Sequence, residues 1–204
     1  MASAGRGTKR MPREQREREV LAVAATEFGR AGFAAASLAR IAEQSGISKA
    51  MVLSYFRSKE ELFAACAEEA GRNLAEHIEP VLARAGTAPA MAQATLSAIF
   101  TALRDRPYDW NLLVDRSAPE GPARAAARAA RNRIAEQAGR GVGLAAGLNA
   151  LDGPDDLEVL ARIWMHAVAA TVGWWIEHPE RSVEEMTART GRVIGAVFGV
   201  PLGP

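Results

Sequence analysis

Residues 37–62 read SLARIAEQSGISKAMVLSYFRSKEEL, two short helical patterns pinched together at Gly46 with a third helix start directly behind them. Leu38, Ile41 and Ala42 fall at i, i+3 and i+4, one apolar stripe of a first helix, and Gly46 stands where a residue of positive φ ends it. Ser48 caps a second helix, and Val52 with Phe56, at i and i+4, forms its buried seam. That seam turns Lys49, Ala50, Met51, Ser54 and Tyr55 away from the core, with the reach for base edges and phosphates. Ser58 followed by Glu61 is a capping box for a third helix, whose positive N-terminal end beside Lys59 makes a phosphate clamp. The pattern predicts a helix-turn-helix, a reading head for the DNA major groove.

The charge distribution agrees. The 204 residues carry a net charge of +1, but residues 1–61 hold eleven Lys and Arg against seven acids, leaving fourteen against seventeen for the rest. All three lysines, Lys9, Lys49 and Lys59, lie at that positive end, and Arg6, Lys9, Arg10 and Arg13 form a basic arm ahead of the first helix. Such an arm either contacts DNA phosphates or serves as a soluble terminus. With 49% hydrophobic residues the chain has enough apolar material for a core. The lone Cys66 excludes an internal disulfide and falls on a Leu62, Cys66, Ala70, Leu74 stripe, as a small buried residue would. No apolar run approaches the roughly 20 residues of a membrane span and no signal-peptide core precedes the first helix, so the expected location is the cytoplasm.

Beyond Phe63 the chain reads as helices with short breaks. The helix begun at Ser58 runs through Leu74, Ile78 and Leu82 toward Gly86, linking the head to a second domain; Pro89 opens another helix, and Trp110–Val114 is a short apolar segment. Pro122 starts an alanine-rich helix with Arg124, Arg128 and Arg131 on one face, either an anion site or a solvated face. Gly139, Gly143 and Gly147 predict a kink or break, each costing up to ~1 kcal/mol relative to alanine. Asp155 and Asp156 start a helix reaching His178, apolar on two faces and so in need of two partners. Ser182 with Glu185 caps the last helix, where Gly191, Gly195 and Gly199 recur every four residues, for close approach of another helix or as ordinary tail packing. The expected fold is all-α, about nine helices, with a head over 12–61 and a helical domain over 62–204.

Over roughly Pro12 to Phe63 the chain resembles the N-terminal DNA-binding domain of the tetracycline-repressor (TetR) family of transcriptional regulators. The resemblance includes the preceding helix with its Val20, Leu21, Ala24, Ala25, Phe28 stripe and Gly32-Phe33 exit, and is most specific in VLSYFRSKEEL. It implies base contacts from Lys49, Ala50, Met51 and Ser54 of the helix capped by Ser48, and phosphate anchors at Ser37, Tyr55 and Lys59. One position departs: Leu53 stands where the family's aromatic residue follows Val52, which shifts phosphate contact toward Tyr55. The last two helices resemble the family's four-helix dimer interface, implying a homodimer on a palindromic operator in double-stranded DNA.

The family places a small-molecule pocket between the linking helix and the final pair. The residues that fit it here are Phe100, Leu103, Trp110, Leu113, Trp164, Met165, His166 and Trp175, with His77 as a polar contact; each also reads as plain core. Few acids mark these helices, so a small hydrophobic effector is expected, with no cofactor. His77, His166 and His178 stand apart without metal-ligand spacing. No phosphate loop, dinucleotide fingerprint or nucleophile elbow occurs, so no enzyme is expected, although a helical enzyme pairing His166 with Asp115 is a further reading. Another is a DNA-binding protein whose C-terminal domain only dimerises. Repression is the family's majority behaviour.

Overall fold

The computed structural model describes residues 12–84, 86–146 and 153–198. The basic arm of Arg6, Lys9 and Arg10, and Gly147 and Gly199, lie outside them. Nine helices make up the described residues: α1 (Arg13–Ala35), α2 (Leu38–Gln44), α3 (Lys49–Tyr55), α4 (Lys59–Leu82), α5 (Ala88–Leu103), α6 (Asp109–Val114), α7 (Pro122–Ala146), α8 (Pro154–Glu177) and α9 (Val183–Phe198).

Local signals set most boundaries. Ser37, Ser48, Ser58 and Thr87 each cap the following helix through a side-chain oxygen. At α9 both halves of the capping box form, Glu185 N–H donating to Ser182 Oγ at 3.2 Å and Ser182 N–H to Glu185 Oε2 at 2.9 Å. Pro at the first turn opens α5 and α8.

α4 is the spine. Its start packs on α1, and its length lies along α7, where Gly71 makes the contact possible: a Cβ there would sit 2.6 Å from Ala130 Cβ. α7 presents to this seam Ala123, Ala127, Ala130, Ile134 and Gln137, a buried stripe at alternating steps of four and three. The expected kink at Gly139 and Gly143 is corrected here, because α7 runs unbroken to Ala146. Burial of this stripe along α4 outweighs a propensity cost of ~1 kcal/mol per glycine.

The arginine row on α7 is neither a free anion site nor a purely solvated face. Arg124 Nε donates to Ala118 O at 2.9 Å and Arg131 Nη1 to Leu113 O at 2.9 Å, so two of the three arginines hold the end of α6 and the loop that follows it. Behind that loop, Arg106 bridges Glu69 of α4 (2.5 Å) and Asp109 of α6 (2.7 Å). Burial pushes the Asp109 carboxyl up to about 6 against the pull of Arg106. Cys66 is buried and its thiol is pushed up by desolvation, as for an inert core residue.

The two faces of α8 part company. Val168, Val172 and Trp175 turn into the core, whereas Val159, Ile163, His166, Ala170 and Gly173, at the same alternating steps, are exposed. The expectation that no segment approaches a membrane span is also corrected: Pro154–Glu177 is long and apolar enough to cross a bilayer by length and composition. Its inward face accounts for part of that apolarity and its exposed stripe for the rest.

Candidate functional site

The head is built from α1 to α3 and the first turn of α4. α2 ends in a Schellman motif: Ile47 N–H donates to Ala42 O and Gly46 N–H to Glu43 O, both at 3.0 Å, with Gly46 at φ 64°. This reversal sets α3 against α2 with Val52 fully buried and Phe56 half-buried beneath it. Lys49, Ala50, Met51 and Ser54 are exposed together on the outer face of α3. Met51 keeps 45% exposure, a large apolar side chain with no core to join.

The hydroxyls of the serines expected at the DNA-facing side are partly used within the fold. Ser37 Oγ accepts from Ala39 and Arg40 N–H, Ser48 Oγ accepts from Met51 N–H, and each retains its own O–H to donate. Ser54 Oγ donates to Met51 O at 2.7 Å. Tyr55 is half-buried with the Arg13 guanidinium over its ring at 5.5 Å. Lys59 Nζ lies 4.6 Å from the Phe33 ring centroid and 3.4 Å from Ala34 O, so its charge sits at the α1–α4 junction.

Two groups to which the sequence reading assigned no part in the head complete it. Glu27, 9% exposed, accepts from Arg40 Nε and Nη2 (2.9 and 2.6 Å) and from Ser37 N–H (2.9 Å), pinning α2 to α1. Burial raises its carboxyl, but Arg40 and the Ser37 amide win and hold it below the usual carboxylate range. The signal was a lone acid one place ahead of Phe28 on the buried stripe. Asp115 has no such local signal: its Oδ2 accepts from Phe33 N–H at 2.6 Å, and Ser117 Oγ from Ala34 N–H at 3.1 Å. These bonds seize the turn after Gly32 (φ 74°, ψ 162°), where α1 kinks. The loop after α6 thus grips the head 82 residues away in sequence.

In the helical body a cavity of about 310 Å³ opens between α4, α5, α7 and α8. Ile78, Leu82, Met91, Ile99 and Ile134 are among its walls, and Thr95, Gln137 and the Trp164 indole bring polar side-chain groups to it. Of the residues expected to bind ligand, Trp164 and Met165 line it. Phe100, Leu103, Trp110, Leu113 and Trp175 are packed in the core instead, Phe100 meeting Trp175 edge to face at 5.2 Å. His166 faces outward on the exposed stripe of α8, and His77 is exposed on α4 with Nδ1 2.8 Å from Asn73 O. His166 and Asp115 are not brought together as an acid/base pair: the carboxylate is taken up by the Phe33 and Ser117 amides. Beside the cavity, Glu79 receives Arg140 at 2.9 and 2.6 Å and Gln137 Nε2 at 2.8 Å, and Arg140 first, then Gln137, holds its carboxyl at about 2.

Residues 20–66 match the sequence profile of bacterial regulatory proteins of the tetR family. The HTH-type transcriptional activator FasR of Mycolicibacterium smegmatis is 32% identical over 81 residues, 40% of this chain and 37% of FasR, so the chain matches little more than a third of that relative's length. The whole fold is similar to a TetR-like transcriptional regulator from Rhodococcus sp. RHA1, with TM-score 0.69 and 24% identity over 93% of this chain and 100% of the other. It is also similar to AibR, solved with isovaleryl coenzyme A and operator DNA, at TM-score 0.70 and 17% identity over 93% and 100% of the two chains. The helix-turn-helix thus matches the tetR family of bacterial regulatory proteins in sequence over residues 20–66, and the chain as a whole is similar in fold to a TetR-like transcriptional regulator.

Proposed function

We propose that the chain is a homodimeric, ligand-responsive transcriptional regulator that binds a palindromic operator and releases it when a small hydrophobic effector enters the α4–α5–α7–α8 cavity. The observation that carries this reading is the path of α4. Its first turn places Phe63 against α1 in the head, and its far end supplies Ile78 and Leu82 to the cavity wall. A ligand that shifts the far end moves the head, and the Asp115 and Ser117 grip on α1 provides a second connection from the same body. AibR, which shares the fold, was solved with both isovaleryl coenzyme A and operator DNA, which supports a body of this fold that takes a small-molecule effector.

Base contact falls to Lys49, Ala50, Met51 and Ser54, and backbone contact to Ser37, Ser48, Tyr55 and the N-terminal turn of α4 at Lys59. The exposed stripe of α8 with part of α9, including Val193 at 52% exposure, meets its twin and brings two heads to half-sites about one or more helical turns (~34–36 Å) apart. Such a protein works in the cytoplasm, where the DNA is, and holds no catalytic role. Ligand-driven release can serve repression or, as the name of FasR indicates for that relative, activation.

The test is selection of bound sequences from a random DNA pool. An inverted repeat is expected, and Met51→Arg should change the preferred base at one half-site position rather than weaken every sequence equally, because Met51 offers only an apolar contact such as one to a thymine methyl. Failure to enrich any repeat would remove the proposal.

A further inference from the structure

Gln137 is the polar residue of a stripe otherwise made of Ala and Ile, and it is only 4% exposed. It borders both the apolar cavity and the charged groove formed by Arg72, Glu76, Glu79, Arg133, Glu136 and Arg140. On the α4 side its Nε2 donates twice, to Ala75 O at 3.0 Å and to Glu79 Oε2 at 2.8 Å. Those two acceptors fix the amide: turned over, it would set its oxygen against two other oxygens. Oε1 is therefore committed to its place, and among the described residues no protein group donates to it. An acceptor buried without a donor is costly, and donation of Nε2 to an ionised carboxylate makes Oε1 a stronger acceptor still.

Resting on the effector-cavity reading above, we propose that Gln137 is the residue that orients the effector, and that its Oε1 selects an uncharged apolar compound carrying a hydroxyl group, an aliphatic alcohol or phenol. Oε1 is covered by the side chains around it, and a hydroxyl O–H that enters beside Gln137 as they give way satisfies the orphan oxygen. A carboxylate brings only acceptors to an acceptor, and an ammonium finds no acid in the lining to replace its hydration. Thr95 donates its hydroxyl to Met91 O at 2.8 Å and the Trp164 indole offers only a donor, so the acceptor left without a donor is that of Gln137. The cavity of about 310 Å³ has room for about ten water-sized groups, which sets the length of the probes.

The experiment is calorimetric titration of the full chain with 1-nonanol, 1-methoxyoctane and octanoate, three chains of similar size. 1-Nonanol should bind about tenfold more tightly than the ether, and octanoate weakest of the three. Gln137→Met, apolar and of similar length, should lower the alcohol to the ether's affinity and leave the ether unchanged. Equal binding of alcohol and ether by the wild-type chain, or a preference that survives Gln137→Met, overturns the role of Gln137 while the effector cavity stands. Binding of none of the three overturns both. Should Gln137→Met fail to fold after losing its bonds to α4, the wild-type ranking of the three probes still decides.

Discussion

Phe63→Ala is expected to cost about 3–5 kcal/mol of stability and to abolish DNA binding with it. Phe63 is fully buried at the start of α4 and meets Phe28 edge-on at 5.1 Å and Phe33 at 5.4 Å, interplanar angles 87° and 89°. Those rings join the middle of α1, the turn after its kink at Gly32, and α4, and Lys59 closes the group from above. Truncation removes both edge-to-face contacts and leaves a cavity between the rings, in a place where the backbone is already pinned by Asp115. Against a typical domain stability of 5–15 kcal/mol this is a large fraction. Urea unfolding should show a lower midpoint with an unchanged slope; a loss below about 1 kcal/mol would mean that the three rings are not the head's keystone.

Ala170→Glu should split the proposed dimer while leaving the protomer folded. Ala170 lies at the middle of the exposed α8 stripe, with Ile163 42% and Val159 56% exposed on the same face. A carboxylate there is harmless to an isolated protomer, but at a two-fold interface it is buried twice and faces its own copy. The penalty for unpaired charge in an interface is several kcal/mol, so the dissociation constant should rise by more than a hundredfold. Sedimentation should show monomer with an unaltered helical circular dichroism spectrum. A dimer that persists would place the interface on another surface.

The contrast between these residues shows what the sequence carried. Caps, turns and stripes are local, so Gly46, Ser48, Ser58 and the Ser182–Glu185 box were readable from spacing alone, and the structure forms them. The Phe63 cluster lies in the stretch that could be aligned by pattern. The grip of Asp115 on the head was invisible because its partner is 82 residues away and nothing in its neighbourhood points to it. α8 defeated the assignment of the pocket for a different reason: both of its faces are apolar, so periodicity cannot say which one turns inward. Trp164 and Met165 went to the cavity, His166 went outside, and Trp175 went to the core. Gln137 was missed because α7 was read by its arginines, although it continues the Ala123, Ala127, Ala130, Ile134 register as a lone amide.

Linkage between cavity and head tests the account most directly. Affinity for the selected inverted repeat, followed by fluorescence anisotropy of labelled DNA, would be measured with and without a saturating apolar compound that calorimetry has shown to bind. A coupling of ~1–3 kcal/mol predicts DNA binding weakened roughly 5- to 150-fold, and the compound bound less tightly by the same factor when DNA is present. Identical DNA affinity with the cavity empty and filled would contradict the account, and would leave the helical body with dimerisation as its role.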